Sequence, residues 1–159
     1  MEIEIRKMET DAEFRGKAHV HWVTWHAAYT GLIDQSYLDK LTPEKCEEIA
    51  YRWPDNILIA KDGERVIGFL GYGSDQNAPD TGELFALYVL PEYWGTGVAK
   101  RLFEAASEQL SACCAIGLWV LKENARAIRF YQKYGFVPTG EEQDLPSVGA
   151  TEIRMILKP

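Results

Sequence analysis

A glycine-bearing turn before a helix is the first feature of this sequence that could do chemistry. Gly95 and Gly97 follow a strand-like apolar run at residues 83–90 and precede a helical spacing that begins at Val98. The N–H groups at the start of a helix lack partners and carry the positive end of its dipole, so they bind phosphate well. The two glycines would let an anion approach the backbone closely.

Two common nucleotide-binding motifs do not fit this turn. A Walker loop needs Gly-Lys followed by Ser or Thr, whereas Gly97 is followed by Val98 and Ala99. A dinucleotide fingerprint needs a glycine where Lys100 stands. An ordinary connection between a strand and a helix would also look like this turn. It therefore indicates a phosphate-bearing ligand without identifying one.

The predicted elements form a mixed sheet with helices on both faces and one β-α-β crossover. Apolar residues at helical spacing predict a long helix that begins at Thr10 or Asp11, and shorter helices later in the chain, one of them capped by Asn124. Residues 74–82 are rich in turn-forming side chains and are predicted to form a loop. Seven strands are predicted, at residues 2–7, 56–61, 65–72, 83–90, 115–121, 136–139 and 152–157.

Composition narrows the class of protein. A chain of 159 residues favours one domain, residues 1–159, and a net charge of −7 does not favour nucleic-acid binding. The apolar runs are far shorter than the roughly 20 residues that span a bilayer, and the N-terminus does not resemble a secretory signal. We expect a cytoplasmic protein without membrane contact. Its three cysteines, without C-x-x-C spacing, predict reduced thiols and no metal.

Two segments resemble the GCN5-related N-acetyltransferase (GNAT) superfamily. Residues 87–100, LYVLPEYWGTGVAK, are similar to the acetyl-CoA motif Q/R-x-x-G-x-G/A of that family. Residues 124–136, NARAIRFYQKYGF, are similar to its following motif, N-x-x-A-x-x-F-Y-x-x-x-G-F. The spacing of the motifs and the order of elements agree as well, so the resemblance extends over essentially the whole chain. Trp94 stands at the Q/R position, where the family usually has a polar or cationic phosphate contact.

The resemblance implies the GNAT fold, an α/β fold whose mostly antiparallel sheet of about seven strands contains a splayed parallel pair. It also implies acetyl-CoA as the acetyl donor, with its pantetheine arm between the parallel strands. Because Trp94 replaces the usual contact, Lys100 or Arg101 is expected to supply the missing charge. The residues expected to hold the cofactor are Leu87, Tyr88, Val89, Gly95, Thr96, Gly97, Val98, Ala99, Lys100 and Asn124.

Acetyl transfer from a thioester to an amine needs an acceptor for the amine proton and a donor for the departing thiolate. The resemblance assigns the donor role to Tyr131, which lies two helical turns after Asn124. Helical spacing alone would make Tyr131 a core aromatic. Glu83, on the strand beside the thioester, is the predicted base, with a solvated strand end as the alternative.

The resemblance implies that the end of the first long helix lines the acceptor pocket, so Trp25, His26 and Tyr29 are candidate substrate-binding residues. His26 and Tyr29 are also further candidates for the base. Residues 25–42 resemble a subgroup of small bacterial acetyltransferases that act on polyamines and other small amines. Ribosomal-protein N-terminal acetyltransferases have a glutamate base five residues before the motif asparagine, where this chain has Trp119. A small cationic amine such as a polyamine is the expected acceptor, and a protein or peptide amine is the alternative. A third hypothesis is an acyl-CoA-binding module without catalysis, and the sequence leaves a homodimer open.

Overall fold

A computed structural model describes residues 2–158, in which seven strands form one sheet. The strands are β1 (Ile3–Lys7), β2 (Ile57–Asp62), β3 (Arg65–Asp75), β4 (Ala78–Val89), β5 (Ala115–Leu121), β6 (Val137–Leu145) and β7 (Ala150–Leu157). Their order in the sheet is β1-β2-β3-β4-β5-β7-β6, and only the β4–β5 pair among the described strands is parallel. The predicted mixed, mostly antiparallel sheet is confirmed.

Five α-helices cover the sheet within residues 2–158: α1 (Asp11–Tyr29), α2 (Gln35–Lys40), α3 (Pro43–Arg52), α4 (Val98–Gln109) and α5 (Ala125–Lys133). Helices α1 and α4 lie on opposite faces, because neighbouring residues of β3 contact one each. Phe69 lies under the ammonium group of Lys17 in α1, whereas the space beside Gly68 is filled by Leu102 of α4. None of these helices is long and apolar enough to cross a bilayer.

Glu13 joins the start of α1 to the sheet. Thr10 caps the helix by accepting a hydrogen bond from the Glu13 N–H, and the Glu13 carboxylate accepts from the N–H groups of Thr10 and Glu9. The same carboxylate accepts from the Lys61 ammonium of β2 at 3.0 Å. Burial raises the pKa of Glu13, but these hydrogen bonds outweigh burial and bring the pKa to about 2. A buried, ionised carboxylate therefore holds the start of α1 against β2.

The parallel strands β4 and β5 pair along only part of their length. Hydrogen-bonded pairing joins residues 81–84 of β4 to residues 115–118 of β5 and then ends, although both strands continue. At the point of separation, Phe85 forms a bulge that shifts the register of β4 against β3. An extra residue of this kind bends and twists a strand. The result is a gap in the middle of the sheet.

The predicted loop at residues 74–82 is wrong, because these residues form the end of β3 and the start of β4. The chain reverses through a two-residue turn at Gln76 and Asn77, where the Asp75 carboxylate accepts the Asn77 N–H. The turn-forming side chains lie on the solvated outer part of a hairpin, where backbone pairing outweighs local propensity. For the same reason β6 continues to Leu145 rather than ending at residue 139, with nearly all its side chains exposed.

We expect Glu13→Gln to lower the free energy of unfolding at neutral pH by roughly 2 to 3 kcal/mol, since Lys61 loses its charged partner in a buried site. The folded-state pKa of Glu13 lies below its ordinary value of 4.5, so its contribution is complete above that pH. It is lost as the pH falls towards about 2. Urea unfolding of wild type and variant at neutral and acidic pH measures both effects.

The matched control is Glu9→Gln, because that carboxylate pairs with Arg6 at the surface. Surface pairs contribute little, so this variant should lose no more than about 1 kcal/mol. Equal losses in the two variants, or a Glu13→Gln deficit that persists unchanged at acidic pH, would contradict the role given to Glu13.

Candidate active site

A cavity of about 600 Å³ lies where β4 and β5 separate, and residues from both faces of the sheet line it. At one end, called the α4–α5 end, it is lined by the glycine turn and the starts of both helices. At the other, the α1 end, it is lined by side chains of α1 and β7. The predicted site residues that line it are Trp25, Tyr29, Leu87, Tyr88, Val89, Gly95, Gly97, Val98, Ala99, Lys100, Asn124 and Tyr131.

The turn between β4 and α4 presents backbone N–H groups to the cavity. A short 3-10 turn (Pro91–Tyr93) follows β4, and then Gly95 and Gly97 adopt left-handed backbone conformations, with φ of 77° and 90°. Gly97 is the N-cap of α4 and has no side chain that could bond the following N–H groups. The amides at residues 98–100 are therefore available to an anion, as the glycine spacing predicts.

Asn124 and Tyr131 both line the cavity from α5. The Asn124 side chain caps the helix by accepting the Ala127 N–H at 3.2 Å. Two turns further on, the Tyr131 ring packs edge to face against Phe130 and Phe136. Within residues 2–158 no group hydrogen-bonds to its hydroxyl. That hydroxyl is therefore a free donor at the cavity wall, as its predicted role requires.

Three tyrosines line the cavity. The hydroxyls of Tyr29 and Tyr88 lie 3.1 Å apart, and Tyr131 is close enough for its charge to affect Tyr29. Burial raises the pKa of Tyr29 to about 12 and holds the pKa values of Tyr88 and Tyr131 well above their ordinary value of 10. At neutral pH all three are therefore uncharged phenols, each with a proton to donate.

Glu83 does not line the cavity, because Arg154 of β7 holds its carboxylate at 2.8 Å. Arg154 also pairs with Asp75 at 2.9 Å, and its guanidinium lies over the ring of Trp119. The arginine passes over β5 at Gly117, where any Cβ would meet the guanidinium. Burial raises the pKa of Glu83 against the opposing effect of Arg154. The base role of Glu83 stays a prediction, and this ion pair does not favour it.

His26 and Thr96 are also absent from the described lining of the cavity. The two ring nitrogens of His26 lie 2.8 Å and 3.0 Å from the carbonyl oxygens of Trp22 and Leu38. The ring therefore ties α1 to α2. The Thr96 hydroxyl donates to the carbonyl of Tyr93 within the turn. Both side chains support the scaffold here, and their binding roles stay predictions.

Glu152 and Arg126 are among the lining residues that the sequence analysis does not assign. Glu152 lies at the start of β7, opposite Leu121 of β5, and its charge contributes to the raised pKa values of Tyr29 and Tyr88. Finding it requires the register of β7 against β5, which no local pattern encodes. Arg126 lies two positions after Asn124, within the second motif, so its place near the cofactor could have been inferred from the sequence.

Charge is distributed unequally along the cavity. Its described cationic lining residues, Lys100, Arg126 and Lys133, come from α4 and α5, whereas the single acidic one, Glu152, comes from β7. Lys100, Arg126 and the free amides suit a polyanion at the α4–α5 end, and a carboxylate suits an ammonium group at the α1 end. Across residues 2–158 no three His, Cys, Asp or Glu side chains are placed to hold a metal ion.

Comparison with known proteins identifies the family. The sequence model of the Acetyltransferase (GNAT) family matches residues 19–136. This chain belongs to that family. A probable N-acetyltransferase of Mycobacterium tuberculosis is 30% identical over 130 residues, which cover 78% of this chain and 74% of that protein. The crystal structure of PaiA N-acetyltransferase from Thermoplasma acidophilum in complex with coenzyme A superposes with a TM-score of 0.78, at 25% identity over 100% of both chains.

The relatives of this GNAT protein differ in their named acceptors. A probable spermine N(1)-acetyltransferase of Bacillus subtilis subsp. natto is 28% identical over 116 residues, 67% of this chain and 74% of that protein. The N-terminal acetyltransferase B complex catalytic subunit NAA20 of Arabidopsis thaliana is 33% identical over 91 residues, 54% and 52% of the two chains. The GNAT chain is an acetyl-CoA-dependent N-acetyltransferase. Its relatives include one named for a polyamine acceptor and one named for N-terminal acetylation.

The cavity residues of this GNAT enzyme fit acetyl-CoA, which when bound supplies an activated acetyl thioester. The uncapped N–H groups at the start of α4 and the cations beside them suit its phosphates. Beyond Leu84 and Leu118, the facing edges of β4 and β5 have backbone groups free of each other. These edges suit the amides of a pantetheine arm, since buried backbone groups require partners.

We expect Gly97→Asp to weaken acetyl-CoA binding at least about tenfold, because a carboxylate enters the space beside the phosphate-binding amides. Calorimetric titration with acetyl-CoA gives the dissociation constant. Gly63→Asp is the matched control, since Gly63 also has a positive φ, of 61°, but lies in the β2–β3 turn away from the cavity. A folded Gly97→Asp protein with wild-type affinity would remove the turn from the cofactor site.

Proposed function

We propose that this enzyme acetylates the primary amine of a small cationic acceptor, with a polyamine such as spermidine as the first candidate. One observation supports this most strongly: Glu152 is the single acidic residue in the described cavity lining, close to Tyr29 and Tyr88. Trp25 packs against both tyrosine rings. A carboxylate attracts an ammonium group, and aromatic faces bind alkylammonium by cation–π contact. The acceptor therefore enters at the α1 end.

The proposed reaction forms a C–N bond to the acceptor and breaks the C–S bond of the thioester. An alkylamine with a pKa of about 10.4 is mostly protonated at neutral pH, so it must lose a proton before it attacks. Glu152 accepts that proton, directly or through one water. As the tetrahedral intermediate collapses, its nitrogen loses the second proton and Tyr131 donates one to the departing thiolate. The proton from the nitrogen returns to Tyr131 through water, because the raised pKa of that hydroxyl disfavours its ionised form.

Charge also develops on the acetyl oxygen as the tetrahedral intermediate forms. Backbone N–H groups aimed at such an oxygen are an effective means of stabilising it. The edge of β4 that faces β5 is unpaired with that strand beyond Leu84, at residues 85–89. We assign the oxyanion donor to one of these N–H groups, beside Leu87, Tyr88 and Val89.

A peptide or protein amine is the second candidate, and the similarity to NAA20 supports it. Trp119 occupies the position of the glutamate base in ribosomal-protein acetyltransferases. However, Leu121, two residues along the same strand, faces Glu152 on β7. A carboxylate on the neighbouring strand could therefore serve a peptide amine as well as a small one.

Thiol release from acetyl-CoA separates the hypotheses when it is measured with spermidine, an amino sugar, an amino acid and short peptides. Highest kcat/KM with spermidine supports the first candidate, and turnover only with peptides supports the second. Acetyl-CoA binding without turnover of any acceptor supports a binding module that lacks catalysis. No binding of acetyl-CoA up to millimolar concentration would overturn the cofactor assignment itself.

We expect Tyr131→Phe to lower kcat by about 10² to 10⁴-fold, because the proton donor is lost while the ring that packs on Phe130 and Phe136 remains. The affinity for acetyl-CoA and the melting temperature should change little. Tyr51→Phe, which removes a surface hydroxyl bonded to Asp11, is the control and should keep full turnover. Wild-type kcat in a stable Tyr131→Phe enzyme would leave the residue with a packing role alone.

We expect Glu152→Gln to lower kcat/KM for the acceptor by about 10² to 10⁴-fold without changing acetyl-CoA affinity, because the amine loses its proton acceptor. Two variants provide contrast. Glu83→Gln should mainly lower the melting temperature, since Arg154 loses a buried partner, and Glu142→Gln breaks only a surface pair with Lys122. If Glu83→Gln instead abolishes turnover at normal stability, Glu83 is the base and Glu152 is not.

A further inference from the structure

Trp94 is firmly held in the cofactor turn although it replaces the residue usual at that position. Its indole N–H donates to the backbone carbonyl of Val89 at 2.7 Å, which fixes the plane of the ring at the cavity wall. The side chain is still 38% exposed. The indole therefore offers a flat aromatic surface at the α4–α5 end.

The guanidinium of Arg126 lies on that surface, 3.5 Å from the ring centroid. Arg126 is in the first turn of α5, lines the cavity, and has no carboxylate within ion-pair distance among residues 2–158. An arginine stacked by its face keeps the N–H donors along its edge free, and those donors match a phosphate in a bidentate manner. The cation is thus oriented by Trp94 but not neutralised.

We propose that Arg126, positioned by Trp94, binds a phosphate of acetyl-CoA and supplies the charge that the turn itself lacks. The free amides at residues 98–100 lie at the same end of the cavity, so the phosphate is contacted from α4 and α5 together. The sequence analysis instead predicts that Lys100 or Arg101 supplies this charge. Lys100 also lines the cavity, whereas Arg101 is outside its described lining.

This proposal rests on the acetyl-CoA-dependent activity and not on the identity of the acceptor. Two phosphate sources in acetyl-CoA share the same chemistry: the pyrophosphate and the 3′-phosphate of the ribose. Arginine recognises either one, so the ligand must be varied together with the protein. Charge-assisted contacts of this kind correspond to about a tenfold to hundredfold change in affinity.

Calorimetric dissociation constants for acetyl-CoA, 3′-dephospho-acetyl-CoA and S-acetylpantetheine, measured on wild type and Arg126→Gln, test the proposal. We expect Arg126→Gln to weaken acetyl-CoA about tenfold to hundredfold. An equal loss with the dephospho compound assigns the contact to the pyrophosphate, and no loss with it assigns the 3′-phosphate. S-acetylpantetheine, which has no phosphate, should bind both proteins alike.

Arg129→Gln is the matched control, because Arg129 lies on the same helix, is exposed and does not line the cavity. Trp94→Leu should weaken acetyl-CoA binding by less than Arg126→Gln, and the double variant should be no weaker than Arg126→Gln alone, since the indole acts through the guanidinium. Unchanged acetyl-CoA affinity in folded Arg126→Gln, or an equal loss for all three ligands, overturns the proposal. Failure of wild type to bind acetyl-CoA would instead overturn the family-level function.

Discussion

The early end of hydrogen bonding between β4 and β5 is the constraint on which the rest of the structure depends. Two adjacent strands normally satisfy each other's backbone groups, but here that pairing stops at Leu84 and Leu118. The remaining edges need other partners, and an extended ligand with its own amides can supply them. The bulge at Phe85 sets where the separation begins, so one inserted residue determines where the cavity lies.

The gap also separates two kinds of electrostatic environment. Cationic side chains and helix-start amides occur at the α4–α5 end, whereas the carboxylate of Glu152 and the aromatic rings belong to the α1 end. Under the proposed function, acetyl-CoA and a cationic acceptor approach the cavity from different ends and do not compete for the same groups. The uncharged side chains of Tyr29, Tyr88 and Tyr131 also line the cavity.

Local patterns predicted much of this arrangement. Gly97 and Asn124 could be placed because each acts on the backbone beside it, whereas Tyr131 could be placed only through the resemblance of residues 124–136 to the family motif. Glu152 could not be placed, since its position depends on the register between strands that are distant in sequence. The sequence predicts Glu83 at the reaction centre. The ion pair of its carboxylate with Arg154 could not be foreseen, because Arg154 lies 71 positions later in the chain.

The ion pairs of Arg154 with Glu83 and Asp75 restrict the substitutions that this protein can accept. Arg154 reaches Glu83 and Asp75 only because Gly117 leaves room for its guanidinium to cross β5. A larger residue at Gly117 would displace the arginine and leave a buried carboxylate unpaired, while loss of the arginine alone would do the same. Positions 75, 83, 117 and 154 are therefore expected to change together, so that related proteins keep all four residues or replace them jointly.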